Sequence, residues 1–163
     1  MARGILLTDA SPLIGLARVD GLPWLKALFG EVWMPVEVRH EVLTDKDFPE
    51  EASIRFAEAE GWLKTWGPSP DLPELTDLDE GEASCIRIAL MQESPALLLM
   101  DERAGRAVAA EHGLRVAGTA AVIGMAKSRQ LTGSARTVFE RLHASDFRIS
   151  AQVIRAVLRR VGE

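Results

Sequence analysis

Two acidic residues stand where a buried strand would end and a helix would begin. Asp9 follows the apolar run "GILLT", and Asp101 follows "LLLM". In an open sheet of parallel strands such positions meet at the carboxyl edge, where ligands bind. Asp9 has two interpretations, since Ser11 and Pro12 beside it also favour a helix start. It is either a helix cap or a ligand for a metal or substrate.

Two further carboxylates belong to predicted helices. Glu82 in "LDEGEASCIRIAL" falls within the apolar stripe of its helix, which turns the side chain toward the sheet. Asp79 and Glu82 also have the spacing of a capping box, and this alternative explains Glu82 without any chemistry. Glu41 in "MPVEVRHEVL" flanks an apolar helix face and, taken alone, is typical of a solvated residue.

Carboxylates that converge at one edge repel each other, so their pKa values rise unless a cation offsets the charge. Oxygen ligands select hard dications such as Mg²⁺ or Mn²⁺. The sequence has no Cys/His cluster for zinc, because His40, His112 and His143 are scattered and predicted at the surface or at an edge. The expected cofactor of such a site is therefore Mg²⁺ or Mn²⁺.

The elements that must position these acids alternate between strands and helices, which predicts an α/β protein with a mainly parallel five-stranded sheet. The predicted strands are residues 4–8, 31–34, 62–65, 97–100 and 114–117. The predicted helices are residues 12–17, 21–29, 36–44, 50–59, 80–92, 102–112, 119–129, 134–143 and 150–160. The first and fourth strands are continuous apolar runs, so we expect them in the middle of the sheet. The stretch "WGPSPDLPELT" is predicted to be an irregular crossing.

The chain of 163 residues is long enough to form a single domain, residues 1–163, with its own core. Its one cysteine, Cys85, lies in an apolar helical pattern and is predicted to be a buried thiol in a reducing compartment. No apolar run is long enough for a signal peptide or a membrane span. We therefore expect a soluble cytoplasmic protein with no membrane partner.

Charge is unevenly distributed along the chain. The net charge of −5 argues against broad, unspecific nucleic-acid binding. Residues 40–82 contain 13 Asp and Glu against three Lys and Arg, whereas residues 127–160 contain eight Lys and Arg against two acids. The basic segment either attracts phosphate or is an ordinary solvated surface. Its candidate phosphate contacts are Arg148, Arg155, Arg159 and Arg160.

The quoted motifs, in this order, resemble the PIN-domain family, in particular the VapC-like toxins and relatives with "DxSPLI", "GEA" and "LLxD" motifs. The resemblance covers about residues 4–130. It implies a three-layer α/β/α fold, metal-dependent ribonuclease activity and, in several relatives, toxicity restrained by a cognate antitoxin. The acidic site that the motifs imply is Asp9, Glu41, Glu82 and Asp101. Relatives often have a second Asp after the last of these, where this chain has Glu102.

The leading hypothesis is an endoribonuclease that hydrolyses RNA with a Mg²⁺- or Mn²⁺-activated water. The resemblance implies metal ligands at Asp9, Asp101 and Glu82. Thr119 and Ser11 are expected beside the acids. The Thr119 hydroxyl either holds a water or, as the more ordinary role, caps the next helix. Single-stranded RNA is the favoured substrate, because the edge of a sheet suits splayed nucleotides.

The main alternative is a catalytically inactive PIN-like module that binds RNA or protein. A haloacid-dehalogenase-like phosphatase is disfavoured because Ser11 stands where its second Asp belongs, and the paired acid of a receiver and a glycine-rich phosphate loop are missing. The resemblance implies RNA, an antitoxin protein and a second copy of the chain as partners. The apolar residues of 21–29 and the helices within 134–160 pack on the domain or contact such a partner.

Overall fold

The sheet has five parallel strands in the order β3-β2-β1-β4-β5. The computed structural model describes residues 4–163. The strands are β1 (Leu6–Thr8), β2 (Val32–Pro35), β3 (Leu63–Trp66), β4 (Leu97–Leu99) and β5 (Arg115–Ala117). β1 lies in the centre with β4 beside it, as their continuous apolar runs predict.

The helices within residues 4–163 begin and end within two residues of their predicted bounds. They are α1 (Ala10–Arg18), α2 (Leu22–Phe29), α3 (Val36–Val42), α4 (Pro49–Glu60), α5 (Glu80–Leu90), α6 (Arg103–Glu111), α7 (Thr119–Ser128), α8 (Ala135–Ala144) and α9 (Ala151–Arg160). Residues 67–79, which include most of the proline-rich stretch, form neither helix nor strand.

The helices form layers on both faces of the sheet. On one face α1 contacts α2, α4 and α7, whereas α5 and α6 contact each other and cover β4 and β5 on the opposite face. This division follows from right-handed crossovers, because the chain steps from β1 to β2 in one direction and from β3 to β4 in the other. The result is a three-layer α/β/α fold.

The last two helices pack outside this sandwich, against α7. Gly124 of α7 permits the close approach of α9, since a Cβ at Gly124 would lie 2.9 Å from Cγ1 of Val157. Leu158 is buried, whereas Val153 at the start of α9 is 44% exposed. The apolar residues Ile154, Val157 and Val161 also pack against the core, so α9 packs on the domain over much of its length.

Cys85 is fully buried in α5, and burial raises the pKa of its thiol well above the ordinary value. It is a packing residue, as predicted, because a buried thiol gives little thiolate. Among the helices described between residues 4 and 163, none is long and apolar enough to cross a membrane.

Candidate metal centre

The carboxyl ends of β1 and β4 meet at the point where the connections of the sheet change direction. Thr8 of β1 is paired with Leu99 of β4, and the Asp9 N–H donates to the Leu99 carbonyl oxygen at 2.9 Å. Asp101 follows two residues after Leu99. Both acids therefore leave the sheet at its topological switch point, as the strand endings predict.

Asp9 takes the N-cap position of α1, but capping does not explain its carboxylate. In the part of the chain that the structure describes, the side chain forms no cap hydrogen bond to α1. Burial of the residue, which is only 4% exposed, raises its pKa more than the adjacent Ala10 N–H lowers it. Burial raises the pKa of Asp9 to about 7, and the negative charges of Asp79, Glu41 and Glu82 act in the same direction. A buried carboxylate without a cap bond favours the second interpretation of this residue, a ligand.

Asp79 joins the group, although its spacing in the sequence indicated only a cap. Asp9, Asp79 and Glu82 each offer a carboxylate oxygen, and these three oxygens lie within 4.8 Å of one another. The Asp79 carboxylate accepts the Glu82 backbone N–H at 2.9 Å, so this half of the predicted capping box forms. The sequence feature that indicates Asp79 as a site residue is its position one helical turn before Glu82, which places both side chains on the same side of the helix.

Glu82 is buried at 4% exposure, and its side chain lies beside Asp9 and Asp79. Burial raises its pKa to about 7, and the charges of Asp79, Glu102 and Glu41 contribute in the same direction. No Lys or Arg nitrogen within residues 4–163 forms an ion pair with Asp9, Asp79 or Glu82. The three carboxylates therefore share a region of uncompensated negative charge.

Glu41 of α3 borders the same space. Its pKa is raised by burial and by the charge of Asp79. A Cβ on Gly81 would lie 3.2 Å from Glu41 Oε2 and 2.7 Å from Asp9 Oδ1, so the two carboxylates flank this glycine. Three separate elements, the end of β1, α3 and the start of α5, thus bring acids to one place.

Asp101 is held differently from the other predicted site residues. Its Oδ1 accepts the Thr119 backbone N–H at 2.7 Å, and its Oδ2 accepts the hydroxyls of Thr119 at 2.7 Å and Ser11 at 3.1 Å. Within residues 4–163, Asp101 is not among the acids whose oxygens lie within 4.8 Å of one another. It ties α1 to α7 at the edge of the acidic group.

The capping role predicted for Thr119 is wrong. Gly118 is the N-cap of α7, and Thr119 is the first residue of the helix. The Thr119 hydroxyl donates to Asp101 instead, because the Asp101 carboxylate lies at the buried N-terminus of α7 and accepts from its first residue.

A family model described as a PIN domain matches residues 5–163. The chain belongs to the PIN-domain family. The match includes α8 and α9, so it extends past the region of about residues 4–130 on which the motif resemblance rested. No curated protein matches the chain. PIN domains are generally nucleases that use divalent metal ions.

The acidic group of this PIN domain fits a hard dication. Its donors are carboxylate oxygens, and two of the three residues, Asp9 and Glu82, are buried. Burial, together with the neighbouring negative charges that a cation would offset, raises the pKa values of these two. Gly81 and Gly105 leave room beside them, since a Cβ on Gly105 would lie 3.2 Å from Glu82 Oε2. Asp9, Asp79 and Glu82 are thus the residues that could hold a divalent metal ion.

Gly81→Ala tests whether this room matters. The added methyl would lie 2.7 Å from Asp9 Oδ1, so the buried carboxylate must move. We expect the Mn²⁺ affinity, measured by isothermal titration calorimetry, to fall by at least about tenfold, or about 1.4 kcal/mol. Gly67→Ala is the control, because no atom lies within 4 Å of its added methyl. Equal Mn²⁺ affinities for the two variants would contradict the assignment.

Thr119→Val removes one donor from Asp101 at nearly constant volume. The backbone N–H bond remains, but the buried hydroxyl bond to a charged acceptor is removed. We expect the free energy of unfolding to fall by about 2 kcal/mol in urea titrations. Thr137→Val, at an exposed position of α8, is the matched control. If both variants unfold at the same urea concentration, the Thr119 hydroxyl does not support Asp101.

Arg106 of α6 is a cation at this edge that the sequence patterns did not predict. Its Nη1 donates to the Met100 carbonyl oxygen at 3.2 Å. A Cβ on Gly118 would lie 2.9 Å from this Nη1 and 2.9 Å from Asp101 Oδ1, so the guanidinium lies close to Asp101. The signal was its place in the helix that directly follows the acid. An exposed guanidinium there can contact an anionic substrate.

The four arginines predicted to contact RNA are exposed. Arg148 precedes α9, and the other three, Arg155, Arg159 and Arg160, lie on it. Within residues 4–163, no hydrogen bond or ion pair joins any of them to Asp9, Asp79 or Glu82. α9 packs against α7 and α8, whereas these acids lie at the end of β1 and the start of α5. Their contact with RNA stays a prediction.

Proposed function

We propose that this PIN domain is a metal-dependent endoribonuclease that hydrolyses phosphodiester bonds of single-stranded RNA. The observation that carries the proposal is the group of carboxylates Asp9, Asp79 and Glu82 at the switch point of the sheet. Two of them are buried, and within residues 4–163 none forms an ion pair with a Lys or Arg side chain. A protein that needed only packing there would place apolar residues, since uncompensated buried charge is costly. Such cost is typical of sites where charge has a chemical use.

Each residue of the site has a distinct task in this proposal. Asp9, Asp79 and Glu82 hold the cation, and Glu41 adds negative charge at the rim. A bound Mg²⁺ or Mn²⁺ ion would supply an activated water and stabilise charge on the phosphate. The Asp101 carboxylate, which Ser11 and Thr119 hold in place, adds a further acid beside the scissile bond.

In this proposal, cationic side chains bind the phosphates of the RNA substrate. Arg106 lies beside Asp101 and contacts the phosphate at the site. The candidates farther away are Arg148, Arg155, Arg159 and Arg160. Phosphate contacts of this kind position the strand and read no sequence.

An antitoxin protein and a homodimer are also proposed partners. The segment 21–29 does not favour either, because Leu25 is fully buried and the large side chains Trp24, Leu28 and Phe29 pack against the core. This agrees with core packing as the more ordinary role of these residues.

Cleavage of labelled single-stranded RNA tests the proposed activity. We expect cleavage with Mg²⁺ or Mn²⁺, none with EDTA, and products with 5′-phosphate and 3′-hydroxyl ends. Mn²⁺ binding without cleavage, or RNA binding without metal binding, would contradict the nuclease proposal and support the inactive module instead. Isothermal titration with Mn²⁺ separates these two outcomes.

A further inference from the structure

We propose that a cavity between α8 and α9 binds a backbone phosphate of RNA at a distance from the acidic group. This cavity, here the arginine cavity, has a volume of about 370 Å³. It is lined by Arg136, Arg155, Leu158, Arg159 and Glu163. The inference rests on the proposed function, because it takes the same RNA as ligand.

Two of the lining arginines have no partner of their own. Arg155 and Arg159 lie one turn apart on α9 and are exposed, and within residues 4–163 neither guanidinium forms a hydrogen bond or an ion pair. Arg136 reaches the cavity from α8 and donates to the Glu163 carbonyl oxygen at 2.9 Å. Three guanidinium groups around one space attract an anion with several acceptor oxygens, such as phosphate.

Glu163 offsets only part of this charge, because one carboxylate lines the arginine cavity against three guanidinium groups. Its carboxylate accepts the Ser134 hydroxyl at 2.8 Å and the backbone N–H groups of Ala135 at 2.6 Å and Arg136 at 3.3 Å. It therefore satisfies the N-terminus of α8 and is already engaged. The cavity keeps a net positive charge, and the guanidinium groups of Arg155 and Arg159 are left for a ligand from solution.

The position of the arginine cavity determines what kind of ligand can use it together with the acids. α9 packs on α7 through Val157, and the first residue of α7, Thr119, bonds to Asp101. Arg155 and Arg159 lie on the opposite side of α9 from Val157 by the helical period. A helix is about 10 Å across, so a single nucleotide cannot reach both places. The ligand is an extended strand that runs from the sheet edge over α7 and α9.

Binding is measured in an Asp9→Asn background, where cleavage cannot interfere. The probe is a fluorescein-labelled single-stranded RNA of about 15 nucleotides, followed by anisotropy at several NaCl concentrations. Arg155→Gln/Arg159→Gln should weaken binding by at least about tenfold. The salt slope should fall by about 0.7 for each RNA phosphate that the double variant no longer binds.

The control Arg115→Gln/Arg129→Gln removes the same charge from exposed positions outside the arginine cavity. It should leave the dissociation constant within about twofold, because diffuse charge contributes little beyond a Debye length. Thermal unfolding verifies that both double variants are folded. Equal weakening by the two, or no weakening by the first, would overturn the proposal.

Inorganic phosphate distinguishes a strand site from a site for the free ion. If RNA occupies the arginine cavity, phosphate should displace it only at ionic strengths where NaCl does the same. Displacement at much lower phosphate concentrations would overturn the RNA assignment. With Arg155→Gln/Arg159→Gln in the otherwise unaltered chain, KM for long RNA should rise while kcat is kept. A wild-type chain that binds RNA through these arginines but does not cleave it refutes the nuclease and supports the arginine cavity.

Discussion

Asp9→Asn should lower RNA cleavage by at least about 100-fold, a loss of transition-state stabilisation of about 2.7 kcal/mol. Asp9 is buried, and its carboxylate shares the site with Asp79 and Glu82, whose oxygens lie within 4.8 Å. Asn preserves the shape of the side chain but removes the charge that a hard dication requires. The initial rate of cleavage of labelled single-stranded RNA at saturating Mn²⁺ measures the effect.

The free energy of unfolding of Asp9→Asn should stay the same or rise although cleavage falls, and this difference separates loss of function from loss of fold. Burial raises the pKa of Asp9 to about 7, so ionisation of this carboxyl opposes folding near neutral pH. Asp9→Asn should therefore unfold at the same or a higher urea concentration. Asp71→Asn, the same change at an exposed loop position, is the control for cleavage and stability. Cleavage by Asp9→Asn at the rate of Asp71→Asn would refute a metal role for Asp9.

The positions of the strands followed from local features of the sequence. "GILLT" and "LLLM" are apolar runs that each end in an acid, and a strand covered on both faces needs such a run. Asp9 and Asp101 therefore fall at the carboxyl edge whatever the details of packing. The order of the strands fixes which ends are neighbours, and here β1 and β4 are adjacent.

The partners of each acid could not be predicted in the same way. The spacing of Asp79 and Glu82 fits a capping box, and only the tertiary structure determines that the Glu82 carboxylate lies beside Asp9. Asp101 is predicted at the same edge as Asp9, but the hydrogen bonds from its donors Thr119 and Ser11 were not identifiable, because they depend on β5 placing the start of α7 directly beside β4. Such contacts depend on where helices begin in space, which spacing along the chain does not specify.

The role of the glycines at the site could not be predicted from the sequence either. Gly81 and Gly105 lie in helices, where local propensity favours Ala by about 1 kcal/mol. Only the tertiary structure shows the reason for glycine at these positions, because a Cβ there would crowd the carboxylates of Asp9 and Glu82. The site therefore costs stability twice, through weak helix formers and through buried acids. Both costs are expected where a cation, and not the protein alone, completes the charge balance.

The affinity for Mn²⁺ should rise steeply with pH and approach a constant value at about pH 8. Burial raises the pKa values of both Asp9 and Glu82 to about 7, so a cation that binds at lower pH must displace protons from them. Two displaced protons give up to about a hundredfold tighter binding for each pH unit, and the interacting carboxylates titrate as a pair. Calorimetric titrations with Mn²⁺ between about pH 5.5 and 8 measure this dependence.

Stability in EDTA should show the complementary trend. The Asp9 carboxyl has an ordinary pKa of 3.8 in the unfolded chain and about 7 in the folded protein, so the folded state binds the proton more tightly. The free energy of unfolding should therefore fall as pH rises from about 4 to about 7, and Asp9 alone accounts for up to roughly 4 kcal/mol. Urea titrations should also find a smaller fall for Asp9→Asn, and added Mn²⁺ should restore stability most at high pH. If pH changes the stability of the wild type and of Asp9→Asn equally, Asp9 ionises as an ordinary solvated carboxylate, which contradicts the buried, uncompensated charge on which the metal assignment rests.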